Sequence, residues 1–265
     1  MSRFSKPLKR IVIKVGSSSI THKNGEVDLQ TIDQLAWEMA NIKNHGIDIA
    51  LVSSGAIFAG AKRMNLKGRP KDTIGKQAAS AVGQVALMNT YHRAFHQYNY
   101  QAAQILLTRQ VEHDKVMQEN ARNSLDKLFS MNTIPVINEN DAISTLEIEF
   151  GDNDTLSSVV AVTVDADLLI LLSDIDGLYT ADPRTDKRAT LIPEVTKITP
   201  ELEAMAEDTE SSSGVGGMVT KIGAALRCMN HGIDMVIANG EDMKIIRKIV
   251  AGENIGTIFK GGTND

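Results

Sequence analysis

Residues 134–158 read I-P-V-I-N-E-N-D-A-I-S-T-L-E-I-E-F-G-D-N-D-T-L-S-S. The stretch opens on a short apolar run, Ile134–Ile137, which is typical of a buried parallel strand. The chain becomes polar as soon as that run ends, with N-E-N-D at 138–141, and does so again with D-N-D at 152–154. Because ligands of open α/β sheets bind beyond the carboxyl ends of the strands, this pattern predicts a binding site at that edge of a sheet.

Both polar clusters carry carboxylates and amides, which suit a cationic group such as an ammonium, Mg²⁺ or a lysine side chain. A turn followed by the N-cap of a helix uses the same residue types, so one cluster alone is equally compatible with a structural role. Two such clusters about 12 residues apart, each beside an apolar run, favour a site.

Short apolar runs alternate with helical patterns along the chain. This alternation predicts an α/β fold, a three-layer αβα sandwich with an open, mostly parallel sheet. The predicted strands are Ile11–Val15, Ile47–Val52, Gln101–Leu107, Ile134–Ile137, Leu168–Leu172, Asp234–Ile237 and Thr257–Phe259. The predicted helices include Leu29–Asn44, Asp72–Tyr98, Val111–Ser130, a segment from Asp154 or Thr155 to Val164, Glu201–Ala206, a segment that has Lys221 in its first turn and runs to His231, and 244–250. No linker or repeat divides the chain, so we expect a single domain over residues 1–265.

Three segments carry additional expectations. Helix Asp72–Tyr98 is long enough to be an exposed rod that pairs with a second subunit, and a core helix is the alternative; its apolar residues at helical spacing are Ala78, Ala81, Val82, Val85, Met88 and Phe95. The alternating segment Leu146–Phe150, with Ile143 before it, predicts a hairpin over the site. The stretch Leu191–Pro200 shows no period and is expected to be irregular.

The amino-acid composition favours a globular protein and argues against several other classes of protein. The chain is 42% hydrophobic and 23% charged, which is ordinary for a globular protein with a full core. Its formal net charge of -5 argues against nucleic-acid binding through a basic surface. No apolar run approaches the roughly 18 residues of a membrane span. Cys228 is the only cysteine and lies in a helical pattern, so we expect a packing role and a reducing, cytoplasmic location.

The first predicted strand contains a lysine, Lys14, and ends in G-S-S-S. Burying an unpaired ammonium costs several kcal/mol or more, so the lysine needs a reason to be there. Either Lys14 lies on an edge strand and reaches solvent, or it points into a site that holds anions. The glycine and serines that follow offer donors suited to phosphate, which favours the second interpretation.

Two further segments supply groups that suit a phosphate. S-S-G-A at 53–56 precedes a helical piece, an arrangement that binds anions at a helix N-terminus, although an ordinary helix cap gives the same pattern. Gly214, Gly216 and Gly217 precede Lys221 and let the backbone approach a ligand closely; a flexible acidic surface loop is the alternative. The spacing matches neither a P-loop nor G-x-G-x-x-G.

Two lysines, two donor-rich turns and a glycine loop suit a phosphoryl group in transfer, which proteins catalyse mainly by positioning and charge stabilisation. The six histidines lie in predicted helices or loops away from these turns, so no general base stands out. A carboxylate acceptor, with a pKa of about 4, is already ionised at neutral pH and needs no base. An alcohol acceptor usually does. The pattern therefore points toward an acyl phosphate product.

Seven segments are similar to segments of the glutamate 5-kinases, which are amino acid kinases. They are I-V-I-K-V-G-S-S at 11–18, L-V-S-S-G-A-I at 51–57, A-V-G-Q at 81–84, V-I-N-E-N-D-A at 136–142, F-G-D-N-D-T-L-S at 150–157, L-L-S-D-I-D-G-L-Y-T-A-D-P-R at 171–184 and G-V-G-G-M-V-T-K at 214–221. They keep the order of that family and span nearly the whole chain.

The resemblance implies the amino acid kinase fold and transfer of the γ-phosphoryl group of ATP to the γ-carboxylate of L-glutamate, with Mg²⁺ carried on the nucleotide. The product would be L-glutamyl 5-phosphate, the first step of proline biosynthesis. The resemblance also implies that Lys14 and Lys221 stabilise the transferring phosphoryl group and that Asp154 positions them.

Binding residues follow from the same resemblance. It implies glutamate contacts at Ser54, Asp141 and Asn153, with Asn138 and Asp152 as second choices. It implies an ATP site formed by Lys14, Ser173, Asp174, Val215, Gly216, Gly217, Met218, Val219, Thr220 and Lys221. The expected partners are these small molecules, without nucleic acid or membrane, and we expect a homo-oligomer, either a dimer or a tetramer.

One departure and two alternatives accompany the resemblance. Many glutamate 5-kinases carry an extra C-terminal domain of the pseudouridine synthase and archaeosine transglycosylase type, and the chain ends soon after Phe259 without one. This leaves tetrameric assembly and inhibition by proline open. Another amino acid kinase, acting on N-acetylglutamate, aspartate, carbamate or UMP, is the first alternative; the acidic clusters favour a free ammonium, which disfavours N-acetylglutamate and UMP. A non-catalytic sensor on the same fold is the second, and the intact lysines disfavour it.

Overall fold

The computed structural model describes residues 3–143, 153–183, 185–200, 202–203 and 217–262. Within these ranges, eight strands form one sheet in the order β3-β4-β2-β1-β5-β7-β8-β6. The strands are β1 Arg10–Val15, β2 Asp48–Ser53, β3 Ala102–Leu107, β4 Ile134–Glu139, β5 Leu168–Ser173, β6 Glu194–Val195, β7 Asp234–Asn239 and β8 Thr257–Phe259. Every pairing is parallel except the antiparallel one between β7 and β8. The predicted open, mostly parallel sheet is confirmed.

Helices cover both faces of this sheet. They are α1 Ser17–Ile20, α2 Leu29–Asn44, α3 Ala56–Arg63, α4 Thr73–His96, α5 Lys115–Ser130, α6 Asn153–Thr163, α7 Met218–Asn230 and α8 Ile245–Val250, with a 3-10 helix at Arg109–Glu112. One core joins the sheet to α2, α4 and α8. The other joins it to α5, α6 and α7. In the part of the chain that is described, no helix has both the length and the apolar character needed to cross a bilayer.

The alternation of side chains along β1 decides which residue faces which core. Ile11, Ile13 and Val15 pack with α2, α4 and α8. Val12 packs on the opposite face, with α6 and α7. Because strand side chains alternate with a period of two, Lys14 emerges on the same face as Val12. The lysine of this buried strand is thus directed toward α6 and α7.

Three predictions about elements need correction. The predicted helix Val111–Ser130 is broken, because Asp114 accepts hydrogen bonds from the backbone N–H groups of Val116 and Met117 and thereby caps α5. The stretch Leu191–Pro200 is not wholly irregular, since β6 pairs with β8. A strand of two residues is too short to show a period.

The predicted hairpin at Leu146–Phe150 and most of the predicted helix Glu201–Ala206 lie outside the described residues.

The third correction concerns the long helix α4. The six apolar residues at helical spacing named above are mostly exposed; only Phe95 is buried and Met88 half-buried. The buried face instead consists of Ala79, Ser80, Gly83, Gln84, Leu87, Tyr91, Ala94 and Phe95. The helix is therefore a core helix on this face, and small and polar residues, which a hydrophobic period does not count, make up much of it.

Two glycines explain why α4 approaches α3 so closely. A Cβ atom on Gly83 would lie 1.7 Å from the backbone oxygen of Ala56, and one on Gly60 would lie 1.7 Å from that of Ala79. Real Cβ atoms do not come this near to another atom, so the two helices touch backbone to backbone only because both positions are glycine. This contact brings the middle of α4 against the first turn of α3.

Candidate active site

The carboxyl ends of four neighbouring strands form one edge of the sheet. The strands stand in the order β4-β2-β1-β5, and Lys14 is opposite Val52 of β2 and Leu171 of β5. Polar residues at or near the carboxyl ends of these strands include Asn138, Ser53, Lys14 and Ser173. The polar segments that the sequence shows far apart therefore meet at one edge, where open sheets bind ligands.

At the centre of this edge, Asp154 lies between two lysines. Its Oδ1 is 2.5 Å from Nζ of Lys14 and its Oδ2 is 2.9 Å from Nζ of Lys221. Asp154 is fully buried, and each lysine is 7% exposed. Lys14 is on a central strand, so the edge-strand interpretation of this lysine is wrong and the site interpretation is favoured.

Electrostatics keep the central carboxylate ionised. Burial by itself would raise the pKa of Asp154, but the ammonium groups of Lys14 and Lys221 outweigh it and hold that pKa at about 2, below its ordinary value of 3.8. One carboxylate and two ammonium groups leave this triad with one net positive charge. Such a charge in a buried position suits an anion.

The other two members of the triad lie at the N-termini of two helices. Asp154 is in the first turn of α6, and Lys221 is in the first turn of α7. The N-cap residue of α7, Gly217, makes no side-chain cap, and Thr220 donates a hydrogen bond to its backbone oxygen at 2.9 Å. The first N–H groups of a helix lack partners within the helix, so they add donors for a phosphate beside Lys221.

A cluster of amides and hydroxyls lies beside the triad. Asn153, the residue before Asp154, directs its Nδ2 at three oxygens: the backbone oxygen of Ser53 at 2.8 Å, Oγ of Ser54 at 2.9 Å and Oδ1 of Asn138 at 2.9 Å. Gly55 follows with a φ of 98°, a conformation that favours glycine, and turns the chain from β2 into α3. This turn places Ser54 between the strand end and the helix.

The long helix α4 supplies two further members. Oγ of Ser80 donates to Oδ2 of Asp141 at 2.7 Å, and Nδ2 of Asn138 donates to Oε1 of Gln84 at 2.9 Å. Farther along, the hydroxyl of Tyr91 is 2.8 Å from that of Ser53. Asp141 therefore reaches the cluster through α4, because Ser80 and Gln84 lie one turn apart on the same face.

The remaining predicted residues have mixed outcomes. Ser173 is the last residue of β5, which lies next to β1, and its Oγ donates to Oδ1 of the following residue, Asp174, at 3.1 Å. Gly217, Met218, Val219 and Thr220 form the start of α7, beside the triad. Asp152, Val215 and Gly216 lie outside the described residues.

Cys228 is buried, and burial raises the pKa of its thiol to about 12, which fits the predicted packing role.

A family model agrees with this geometry. The model described as the amino acid kinase family matches residues 9–239, which include all of the edge described above. The chain belongs to the amino acid kinase family.

Relatives within this family are named glutamate 5-kinase. The chain is 47% identical over 263 residues to the glutamate 5-kinase of Clostridium perfringens, covering 98% of each protein. It is 45% identical to one from Listeria monocytogenes, covering 95% of this chain and 92% of that protein. It is 46% identical to one from Carboxydothermus hydrogenoformans, of which it covers 70%. These relatives show that the chain belongs to the glutamate 5-kinase branch of the amino acid kinases.

Solved structures support the amino acid kinase fold. The UMP kinase of Bacillus anthracis superposes with a TM-score of 0.64 at 17% identity, covering 97% of this chain and 98% of that one. An isopentenyl phosphate kinase gives a TM-score of 0.64 at 18% identity, with 95% and 100% covered. At such low identity these neighbours establish the fold alone.

Sequence reasoning missed three residues of the edge. Ser80 and Tyr91 lie in a helical pattern with no polar signal, so only the fold reveals their contacts. Gln84 belongs to the segment A-V-G-Q, which the resemblance included without giving it a role.

Proposed function

We propose that the protein phosphorylates the γ-carboxylate of L-glutamate with ATP and forms L-glutamyl 5-phosphate, the first step of proline biosynthesis. The observation that carries the proposal is the buried triad of Lys14, Asp154 and Lys221, with 2.5 Å and 2.9 Å ion pairs, beside the amide cluster around Asn153. The kinship with glutamate 5-kinases supports the choice of acceptor.

The two lysines carry the chemical step in this proposal. Negative charge on the transferring phosphoryl group is spread over its equatorial oxygens, and ammonium groups that are already in place stabilise that charge without reorganisation. Asp154 positions the lysines, because its two oxygens hold one ammonium each. With its pKa held at about 2, this carboxylate is ionised at neutral pH and can pair with both ammonium groups.

The acceptor needs no proton removed. A γ-carboxylate is ionised at neutral pH and attacks the γ-phosphorus with a lone pair, while the bond from that phosphorus to the β,γ-bridging oxygen breaks. The ADP oxygen takes the electron pair. Because no proton leaves the acceptor, the step needs no general base.

The amide cluster and Asp141 bind glutamate in this proposal. The carboxylate of Asp141, held by Ser80, suits the ammonium of the amino acid. Asn153 directly precedes Asp154 in the chain and donates a hydrogen bond to Oγ of Ser54, so an amino acid bound to Asn153 and Ser54 has its γ-carboxylate near the lysines. Asn138, the second choice from the sequence, belongs to the same network.

The nucleotide occupies the other side of β1. Ser173 and Asp174 at the end of β5 and the start of α7 from Gly217 to Lys221 flank the triad there. Lysines and free helix N–H groups suit the phosphates of ATP, the phosphate donor that a kinase uses. Mg²⁺, when bound, neutralises phosphate charge, and its preference for phosphate and water oxygens fits arrival with the nucleotide.

The first experiment is ATP-dependent hydroxamate formation with Mg²⁺, since hydroxylamine traps acyl phosphates. L-Glutamate, N-acetylglutamate, L-aspartate and bicarbonate with ammonia are offered in parallel, and UMP is scored by ADP release. We expect signal with L-glutamate alone. Signal with another acceptor moves the substrate assignment, and silence across the panel with ATP bound favours the sensor alternative.

We also propose a homo-oligomer, formed by the outer face of α4. Ile74, Val82 and Val85 are 78%, 41% and 73% exposed and lie along that face. One helix face can pair with its own copy across a two-fold axis, which makes a second copy of the chain the simplest partner.

A further inference from the structure

The buried face of α4 presents an amide whose nitrogen has no acceptor in the part of the chain that the structure describes. Gln84 is 6% exposed, and its Oε1 accepts from Asn138 at 2.9 Å. Its Nε2 is buried and has no hydrogen-bond partner among the described residues. A buried amide nitrogen left without an acceptor costs roughly 1–3 kcal/mol, so such a group in a native protein calls for an explanation.

Backbone groups determine which way this amide points. The backbone oxygen of Ser53 can only accept, so Asn153 must turn its Nδ2 toward it. The backbone N–H of Glu139 can only donate, and it donates to Oδ1 of Asn138 at 2.9 Å. Nδ2 of Asn138 must therefore donate to Gln84, and Oε1 of Gln84 accepts this hydrogen bond. The chain of bonds thus leaves the two Nε2 hydrogens of Gln84 as the unused donors.

The surroundings of Gln84 suit one end of an amino acid. Ser80, one turn earlier on the same helix face, holds the carboxylate of Asp141. Gly83, the preceding residue, touches Ala56 in the first turn of α3, where helix N–H groups lack partners within the helix. An acceptor for ammonium and donors for a carboxylate therefore occur side by side, which matches the two charged groups on the α-carbon of an amino acid.

We propose that Gln84 is a substrate-binding residue that donates from Nε2 to the α-carboxylate of the amino acid substrate. This inference deepens the proposed function and rests on it. The ligand class is an α-amino acid with a free α-carboxylate, and Gln84 distinguishes it from analogues in which that group is neutral. When the substrate binds, its α-carboxylate accepts a hydrogen bond from Nε2 of Gln84, a donor that is already buried in the unliganded protein.

The test compares two substrates and four proteins. L-Glutamate and its α-amide, L-isoglutamine, are assayed with the unaltered protein, Gln84→Glu, Gln84→Met and the control Gln30→Glu, which makes the same amide-to-acid change at an exposed residue of α2. We expect both Gln84 variants to lower kcat/KM for L-glutamate by about 10-fold to 100-fold, mainly through KM. The KM for ATP stays within about twofold, and Gln30→Glu behaves as the unaltered protein.

The ratio of kcat/KM for L-glutamate to kcat/KM for L-isoglutamine shows whether Gln84 contacts the α-carboxylate. In the unaltered protein L-glutamate is favoured over L-isoglutamine, and in Gln84→Glu and Gln84→Met this preference shrinks by about tenfold or more. An equal loss on both substrates means that Gln84 only supports Asn138, which overturns the proposal. So does an unchanged KM for L-glutamate, or failure of both variants to fold by circular dichroism. Lack of turnover of L-glutamate by the unaltered protein instead refutes the proposed function, a separate result.

Discussion

At the scale of single residues, replacing Lys221 distinguishes a role in the chemical step from a role in binding ATP. Lys221→Ala removes an ammonium that stabilises the transferring phosphoryl group and leaves the helix N-terminus in place. We expect kcat to fall by about 100-fold or more and the KM for ATP to change by about threefold or less. Steady-state kinetics measure both. Lys248→Ala, which removes an exposed lysine of α8, is the control and keeps full activity. Near-normal turnover of Lys221→Ala would refute the mechanism.

Asp154 links the same triad to the acid stability of the protein. Its pKa is about 2 in the folded protein, below its ordinary value of 3.8, so its contribution is present above pH 4 and is lost as pH falls toward 2. We expect the difference in free energy of unfolding between the unaltered protein and Asp154→Asn to shrink by about 1 kcal/mol from pH 6 to pH 3. Urea unfolding across this range measures it. A difference that grows on acidification contradicts the sign of the pKa shift.

At the scale of elements, the contact between α3 and α4 depends on glycine. Gly83→Ala places a Cβ atom 1.7 Å from the backbone oxygen of Ala56, so the helices must separate. We expect a loss of about 1–3 kcal/mol in the free energy of unfolding, together with a higher KM for L-glutamate, because Ser80 and Gln84 move with α4. Chemical denaturation and steady-state kinetics measure the two effects.

The control for this contact is another helical glycine. Gly223 in α7 has nothing within 4 Å of an added Cβ, so Gly223→Ala gains helix propensity and stabilises by roughly 0.5–1 kcal/mol. If Gly83→Ala and Gly223→Ala shift stability in the same direction, close approach is not what glycine provides at position 83.

At the scale of the whole molecule, the exposed apolar face of α4 predicts self-association. Light scattering should give a mass of at least twice the 28.8 kDa of one chain. Val85→Asp should lower that mass, because burying a carboxylate in an apolar contact is costly. Val116→Asp, at an exposed valine of α5, is the matched control and leaves the mass unchanged. A monomeric unaltered protein contradicts the prediction.

Much of the architecture follows from local pattern. Apolar runs such as Leu168–Leu172 predict buried strands because a parallel sheet covered on both faces needs continuous hydrophobicity. The polar residues after these runs predict the functional edge because parallel strands end together. The single domain over residues 1–265 stays a prediction. The pairing of Lys14 and Lys221 with Asp154 came from resemblance, since no local rule links residues 140 or 67 positions apart.

The sequence by itself determined most of the strands and helices and the polar strand ends, because these depend on the period and chemistry of neighbouring residues. Only the tertiary structure decided that β1 is central, that Ser80 holds Asp141 and that Gln84 turns its amide nitrogen away from Asn138. It also decided which face of α4 is buried. These features depend on strand order and on backbone contact at Gly60 and Gly83, where packing outweighs hydrophobic period.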